Sequence, residues 1–242
     1  KPYNYYLDND GKSILYNPIK FGLNDICDEI LNYDDIGINI ANVIDKNNNN
    51  SFHYCIIFNN LYIFKKIYKA HNNIFILTNN NNNLIDLCFK YQRNNFLIYI
   101  VDNEISKGNY NLLNIKNESV LYQSLVYDNI EIFDHLIKKK EYVSHVINNQ
   151  ENEYGLSVLH QIVITDKNNL FKTIFDFDIN INIQDKLGNT PAHYAIIENN
   201  ISYLDFILNN SNLNNSNLNI KFNFKNINGN TLLHLYIINS LN

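Results

Sequence analysis

The chain has 242 residues, 45% of them hydrophobic and 13% aromatic, enough apolar material for a folded core. A net charge of −5 leaves no electrostatic footprint for nucleic acid or an anionic membrane. No apolar run reaches the ~18 residues of a membrane-spanning helix, and no signal-peptide pattern opens the chain. In chain order, a four-residue pattern recurs as Ser13-Ile14-Leu15-Tyr16, Asn50-Ser51-Phe52-His53, Asn83-Leu84-Ile85-Asp86, Ser119-Val120-Leu121-Tyr122, Ser157-Val158-Leu159-His160, Thr190-Pro191-Ala192-His193 and Thr231-Leu232-Leu233-His234. Successive copies start 37, 33, 36, 38, 33 and 41 residues apart, so they read as seven stacked repeats with the excess length in connecting loops.

The residues flanking each copy carry the same register. Two positions before the Thr, Ser or Asn stand Gly11, Asn48, Asn81, Asn117, Gly155, Gly188 and Gly229. Gly and Asn tolerate a left-handed backbone, so one turn residue with positive φ is predicted in each repeat. Five positions before stand Asp8, Asp45, Thr78, Asn114, Asn152, Asp185 and Asn226, short side chains able to brace that turn through its own backbone. A Thr or Ser then opens a short helix by accepting from its first-turn N–H groups, and Pro191 stands where a missing N–H costs nothing. Apolar residues at three- and four-residue spacing predict a second helix over 61–68, 96–101, 130–137, 170–175 and 201–208. Neither helix is long enough to persist alone, so stability comes from stacking.

The stretch Asp185-Lys186-Leu187-Gly188-Asn189-Thr190-Pro191-Ala192-His193-Tyr194-Ala195 and the apolar run that follows resemble the ankyrin repeat, in the order turn, helix, second helix. The resemblance extends over nearly the whole chain and is strongest for the copies at 157, 190 and 231. It implies an all-α ankyrin-repeat solenoid of about seven helix-turn-helix units joined by β-hairpin-like loops. Residues 1–242 are then one ankyrin repeat domain, with units starting near 8, 45, 78, 114, 152, 185 and 226 and the last incomplete. Five positions after the Thr or Ser the family prefers a small residue. Only Ala195 follows that preference; Pro18, Cys55, Cys88, Ser124, Ile162 and Tyr236 depart from it.

About a fifth of the chain is Asn, alongside much Ile, Lys, Tyr and Phe, the bias of an AT-rich genome such as those of large DNA viruses or protists. The Asn runs at 47–50 and 79–83 fall on repeat turns, and the segment from Asn209 to Lys225 holds an insertion expected to be a mobile loop. Lys138-Lys139-Lys140 is expected at a helix end, where cations complement the dipole. A chain that begins with Lys1 and contains no Met is expected to be a fragment.

Candidate chemical groups are few. His53, His160, His193 and His234 share one repeat slot, where the family resemblance implies a ring that bonds a neighbouring turn. Cys55 and Cys88 fall on equivalent first-helix positions of adjacent repeats, too far apart for a disulfide at the ~8–10 Å of packed helices. Cys27 falls in a second helix, and without C-x-x-C spacing three cysteines make no zinc site. No P-loop, dinucleotide fingerprint or G-x-S-x-G elbow is present. The expectation is therefore a non-enzyme with no catalytic, cofactor or metal residues.

The resemblance implies a domain that binds a partner protein through its concave face, as inhibitor or adaptor. Two alternatives stand beside it: the targeting arm of a larger enzyme or ubiquitin-ligase adaptor, and a purely structural scaffold. A monomer is expected, in the cytoplasm, or in the host cytoplasm if the source is a virus or an intracellular bacterium. Eight residues after the Thr or Ser, the first four units carry Phe21, Phe58, Tyr91 and Tyr127, while the later ones carry Thr165, Glu198 and Asn239. Those four aromatics, with Lys186 and Leu187 at a turn tip, are the candidate partner-binding residues.

Overall fold

Each repeat turns on one left-handed residue, and all seven positions read from the sequence adopt it: φ is 80° at Gly11, 58° at Asn48 and Asn81, 62° at Asn117, 73° at Gly155 and Gly188, and 76° at Gly229. The computed structural model describes residues 6–33, 39–70, 77–210 and 220–241. Its described residues form helices and hairpin loops, with isolated bridges pairing Leu7 with Ser13, Leu113 with Ser119 and Glu151 with Leu156. The chain comprises two compact units, residues 1–108 and 109–242.

The first unit holds three repeats: α1 (Tyr16–Phe21) with α2 (Asn24–Leu31), α3 (Ser51–Ile57) with α4 (Leu61–Ala70), and α5 (Leu84–Lys90) with α6 (Asn94–Ser106). First helices stack as α1 on α3 on α5, and α2 lies on α4. A row of aromatic rings ties the second helices together, Phe64 meeting Phe96 edge-on at 5.1 Å and Tyr68 meeting Tyr99 at 5.4 Å. Inside this layer the Tyr68 hydroxyl donates to Glu104 at 2.6 Å, and Lys107 pairs with the same carboxylate at 2.7 Å. Cys27, Cys55 and Cys88 are buried free thiols.

The second unit holds four repeats. These are α7 (Val120–Val126) with α8 (Ile130–Ile137) and α9 (Lys140–Val146), α10 (Val158–Ile164) with α11 (Phe171–Ile174), α12 (Pro191–Ile197) with α13 (Ile201–Asn210), and α14 (Leu232–Ser240). The first helices stack as α7 on α10 on α12 on α14. The seventh repeat rests chiefly on α12, the first helix of the repeat before it.

The other departures have local causes. Helix α9 was not expected: Lys138 ends α8 and Lys139 begins the next helix without a capping side chain, so burial of Tyr142, Val143 and Val146 sustains it. The second helix of the fifth repeat is split, a 3-10 turn over Asn168–Leu170 preceding four α-helical residues. Of the expected insertion loop, residues 211–219 lie outside the described residues. The slot that departs from a small residue is nonetheless filled without exposure by Cys55, Cys88, Ser124, Ile162 and Ala195. Tyr236, with no helix beyond it among the described residues, is exposed.

Candidate protein-interaction surface

Two sets of side chains build the rigid edge from which each turn projects. The first is the residue five before the helix cap. Asp185 Oδ1 accepts from the N–H groups of Leu187 and Asn189 at 2.9 and 2.7 Å, and Asp8, Asp45, Asn114 and Asn226 repeat the arrangement. Thr78 does the same with its hydroxyl at 3.3 Å. Asn152 makes only the first of the two bonds, to Tyr154 N, and is itself left-handed at φ 56°. The second carboxylate oxygen of Asp185 accepts from the Tyr194 hydroxyl at 2.7 Å, and Asp45 is paired with Tyr54 in the same way. Burial and the Asp185 charge push the Tyr194 phenol up to about 12.

The second set is the cap. Thr190 N donates to His193 Nδ1 at 3.1 Å and His193 N donates back to Thr190 Oγ1 at 3.4 Å, a reciprocal box that Ser157 with His160, and Asn50 with His53, repeat. Since Nδ1 accepts, the proton is on Nε2, and this donates to the next repeat: His160 to Asn189 O at 3.1 Å, His193 to Asn230 O at 3.3 Å. The rings therefore bond the following turn. Burial pushes the His160 imidazole down to about 4, and the same cause lowers His193. His234 keeps its cap bond to Thr231 Oγ1 at 2.8 Å but is exposed, with no partner for Nε2 among the described residues.

The fourth repeat breaks the rule, because Tyr122 stands where His would accept from the cap N–H. Ser119 N donates instead to Glu151 Oε2 of the next repeat, at 2.6 Å. Glu151 is only 1% exposed, its other oxygen has no partner, and burial pushes its carboxyl up to about 7 against the pull of the Ser119 hydroxyl and N–H.

A second left-handed position closes the first helix of each of the first six repeats, and the sequence reading missed it. Gly22, Asn59, Gln92, Asp128, Asp166 and Asn199 have φ between 53° and 68°. Each follows directly on the residue eight after the cap, so Phe21, Phe58, Tyr91 and Tyr127 stand at helix C-termini. Their settings differ. Phe21 is 66% exposed and Tyr127 51%, whereas Phe58 and Tyr91 are half-buried. Phe58 packs edge-on to Tyr16 at 5.7 Å and stacks on Tyr54 at 6.2 Å. Tyr91 borders a cleft of about 240 Å³ in the first unit, with Asn47, Thr78, Asn79, Asn82 and Lys90 around it.

At the turn tips Lys186 is exposed, its stem lying against Gly155, where an added Cβ would meet Lys186 Cγ at 3.1 Å. Leu187 is 45% exposed. It does not stand alone: Ile115, Tyr154 and Ile227 occupy tips of the same unit at 57%, 59% and 69% exposure. Sequence reasoning passed over these three, although reading the residues three and four before each cap would have found them. Consecutive tips are joined by backbone bonds, Lys186 N to Tyr154 O at 3.0 Å and Ile227 N to Leu187 O at 2.9 Å. Ile115, Lys116, Glu153, Tyr154 and Lys186 line a common cleft of about 570 Å³. In the first unit the equivalent tips, Asn9-Asp10, Lys46-Asn47 and Asn79-Asn80, are all polar.

Among the described residues no group of three His, Cys, Asp or Glu side chains could hold a metal ion, and no helix is long and apolar enough to cross a membrane.

Comparison with known proteins places this geometry. Residues 124–221 match the family model for ankyrin repeats, in three copies. An ankyrin repeat protein of Acanthamoeba polyphaga mimivirus is 27% identical over 207 residues, covering 84% of this chain and 26% of its own length. The chain thus spans about a quarter of the curated relative it matches. Among solved structures, the ankyrin repeat domain of Bcl-3, a member of the IkappaB protein family, aligns with a TM-score of 0.73 at 14% identity, over 94% of this chain and 95% of that one. A second solved ankyrin repeat protein aligns at 0.60 and 15% identity, over 80% and 94%.

Proposed function

Because this chain is an ankyrin-repeat protein, a family of protein-protein interaction modules, we propose that it binds a partner protein through the surface formed by its turn tips and first-helix C-termini, as inhibitor or adaptor. The observation that carries the reading is the solvent exposure of Phe21 and Tyr127, two aromatics at one repeat position that stand 66% and 51% exposed. Phe58 contributes less, since its ring is engaged with Tyr16 and Tyr54. The protein acts as a monomer in the cytoplasm, or in the host cytoplasm if its source is a virus.

The test is a photo-crosslinking residue placed at position 21 or 127, with captured proteins identified by mass spectrometry. A partner that is captured at either position and released by Phe21→Ala with Tyr127→Ala supports the reading. Equal recovery by the double variant refutes it. A second reading, the targeting arm of a larger protein, is favoured by the mimivirus relative, whose length extends far beyond the matched region. It predicts that the captured partner is a substrate or client of an activity encoded elsewhere in the same gene.

A further inference from the structure

We infer that the tips of the second unit bind an amphipathic α-helix that carries one large apolar residue every seventh position with acidic residues beside them. The inference rests on the protein-binding reading above and names the chemistry of the partner. Ile115, Tyr154, Leu187 and Ile227 stand on four consecutive repeats, each about half or more exposed, and the backbone bonds and shared cleft hold them as one row. Nothing in the fold requires an apolar residue there, since the turn is braced by its Asp or Asn and the tips of the first unit are polar.

The spacing selects a helix. Stacked helices repeat at about 8–10 Å. Side chains on one face of a β-strand recur at about 6.7 Å, which falls out of step with such a row after one tip. In an α-helix, residues seven apart lie about 10.5 Å along the axis on nearly the same face, so about 22 residues serve four tips.

Charge selects the flanks. Lys116 and Lys186 border the row, are exposed, and form no ion pair among the described residues. Glu118 is buried and tied to Asn114 Nδ2 at 2.7 Å, so Glu153 is the one exposed anion of this cleft. Two cations to one anion, on a chain of net −5, make this a locally basic strip suited to an acidic partner.

The probe is a stapled helical peptide of about 24 residues with leucine every seventh position and glutamate beside each, measured by fluorescence anisotropy against the full chain; its control has the same composition with the leucines shuffled. The expected result is micromolar binding of the patterned peptide, at least tenfold weaker for the shuffled one and for the Tyr154→Ala/Leu187→Asp chain. Lys116→Glu with Lys186→Glu is expected to weaken binding and flatten its salt dependence. Circular dichroism confirms that each variant is folded, which the exposure of these side chains favours. Equal affinity for the two peptides, no saturation of the patterned one, or indifference to the tip substitutions overturns the inference. A cellular partner cross-linked through position 21 that keeps its affinity for the Tyr154→Ala/Leu187→Asp chain also overturns it, while leaving the protein-binding reading intact.

Discussion

Glu151→Gln is expected to change how stability depends on pH. Glu151 is buried, accepts one bond from Ser119 N, and has a folded-state carboxyl raised from 4.5 to about 7. A raised acid contributes stability that is fully present below the unfolded value and is lost as pH rises through the folded one. Below pH 4.5 both states hold the proton; between 4.5 and about 7 only the folded state does, so unfolding releases it and stability falls. At about 1.4 kcal/mol per unit, the loss attributable to this group approaches about 3 kcal/mol by neutral pH.

His160 works in the opposite direction. Its ring is lowered from 6.5 to about 4, so its contribution is present above 6.5 and lost as pH falls through 4. The two slopes oppose each other over most of this window, and the unmodified protein is expected to show a shallow profile that conceals both. Urea unfolding followed by circular dichroism, on Glu151→Gln and the parent from pH 4.5 to 8, isolates the carboxyl by difference. The amide can still accept from Ser119 N, while its NH₂ inherits the unpartnered position, a pH-independent cost of about 1–3 kcal/mol that displaces the curve without tilting it. The variant should gain on the parent steadily as pH rises and then plateau above about 7. A difference that stays constant across that range would refute the reasoning, because an ionised or solvated Glu151 predicts no slope.

Three further outcomes follow from the repeat geometry. His193→Ala, which removes the acceptor of Thr190 N and the donor to Asn230 O, should lower unfolding free energy by about 1–3 kcal/mol, while His234→Ala, whose ring is exposed, should cost less; equal denaturant shifts would contradict this. Gly188→Ala, where a Cβ would meet Asn226 Cα at 3.0 Å, should destabilise more than Gly229→Ala, which shares the left-handed backbone but meets nothing within 4 Å. The second should cost only about the 1–2 kcal/mol of the backbone conformation, and matched melting temperatures would remove the contact as a cause. Hydrogen exchange should show α14 opening before α7, α10 and α12, since Leu233, Tyr236 and Ile237 on its outer face are exposed; protection equal to α10 in dilute monomer would count against it.

What could be read from the sequence was what the backbone demands. The left-handed turn asks for Gly or Asn, the brace asks for a short oxygen-bearing side chain, and the cap asks for Ser, Thr or Asn, so all three registers were legible; the turn holds in all seven repeats, while the brace is halved at Asn152 and the cap fails at Ser13, where α1 starts after Leu15 without a capping side chain. The second left-handed position was not, because its six occupants include Gln92, Asp128 and Asp166 and so look like any polar loop. Helix α9 was hidden for a different reason. Its start lacks a capping side chain, and only the burial of Tyr142, Val143 and Val146 against neighbours explains it, which is tertiary information. The same holds for Phe58, whose packing on Tyr16 could not be read before the stack was known.

The candidate surface is legible by the opposite logic. In every turn but that of Asn152, which makes only the first of the two bonds, the bracing oxygen bonds the N–H groups three and one before the cap, and the tip side chains take no part in the bracing. The fold therefore constrains the tip backbone and leaves the tip side chain open. An apolar residue there gains little on folding, because it stays in solvent at 45% to 69% exposure, and it adds a liability to aggregation. At a buried position such as Ile162 hydrophobicity is explained by the core; at Ile227 the core explains nothing. For a repeat protein, then, functional positions are best sought where repeats agree in backbone role and differ in side-chain character, as the polar tips of the first unit and the apolar tips of the second do here.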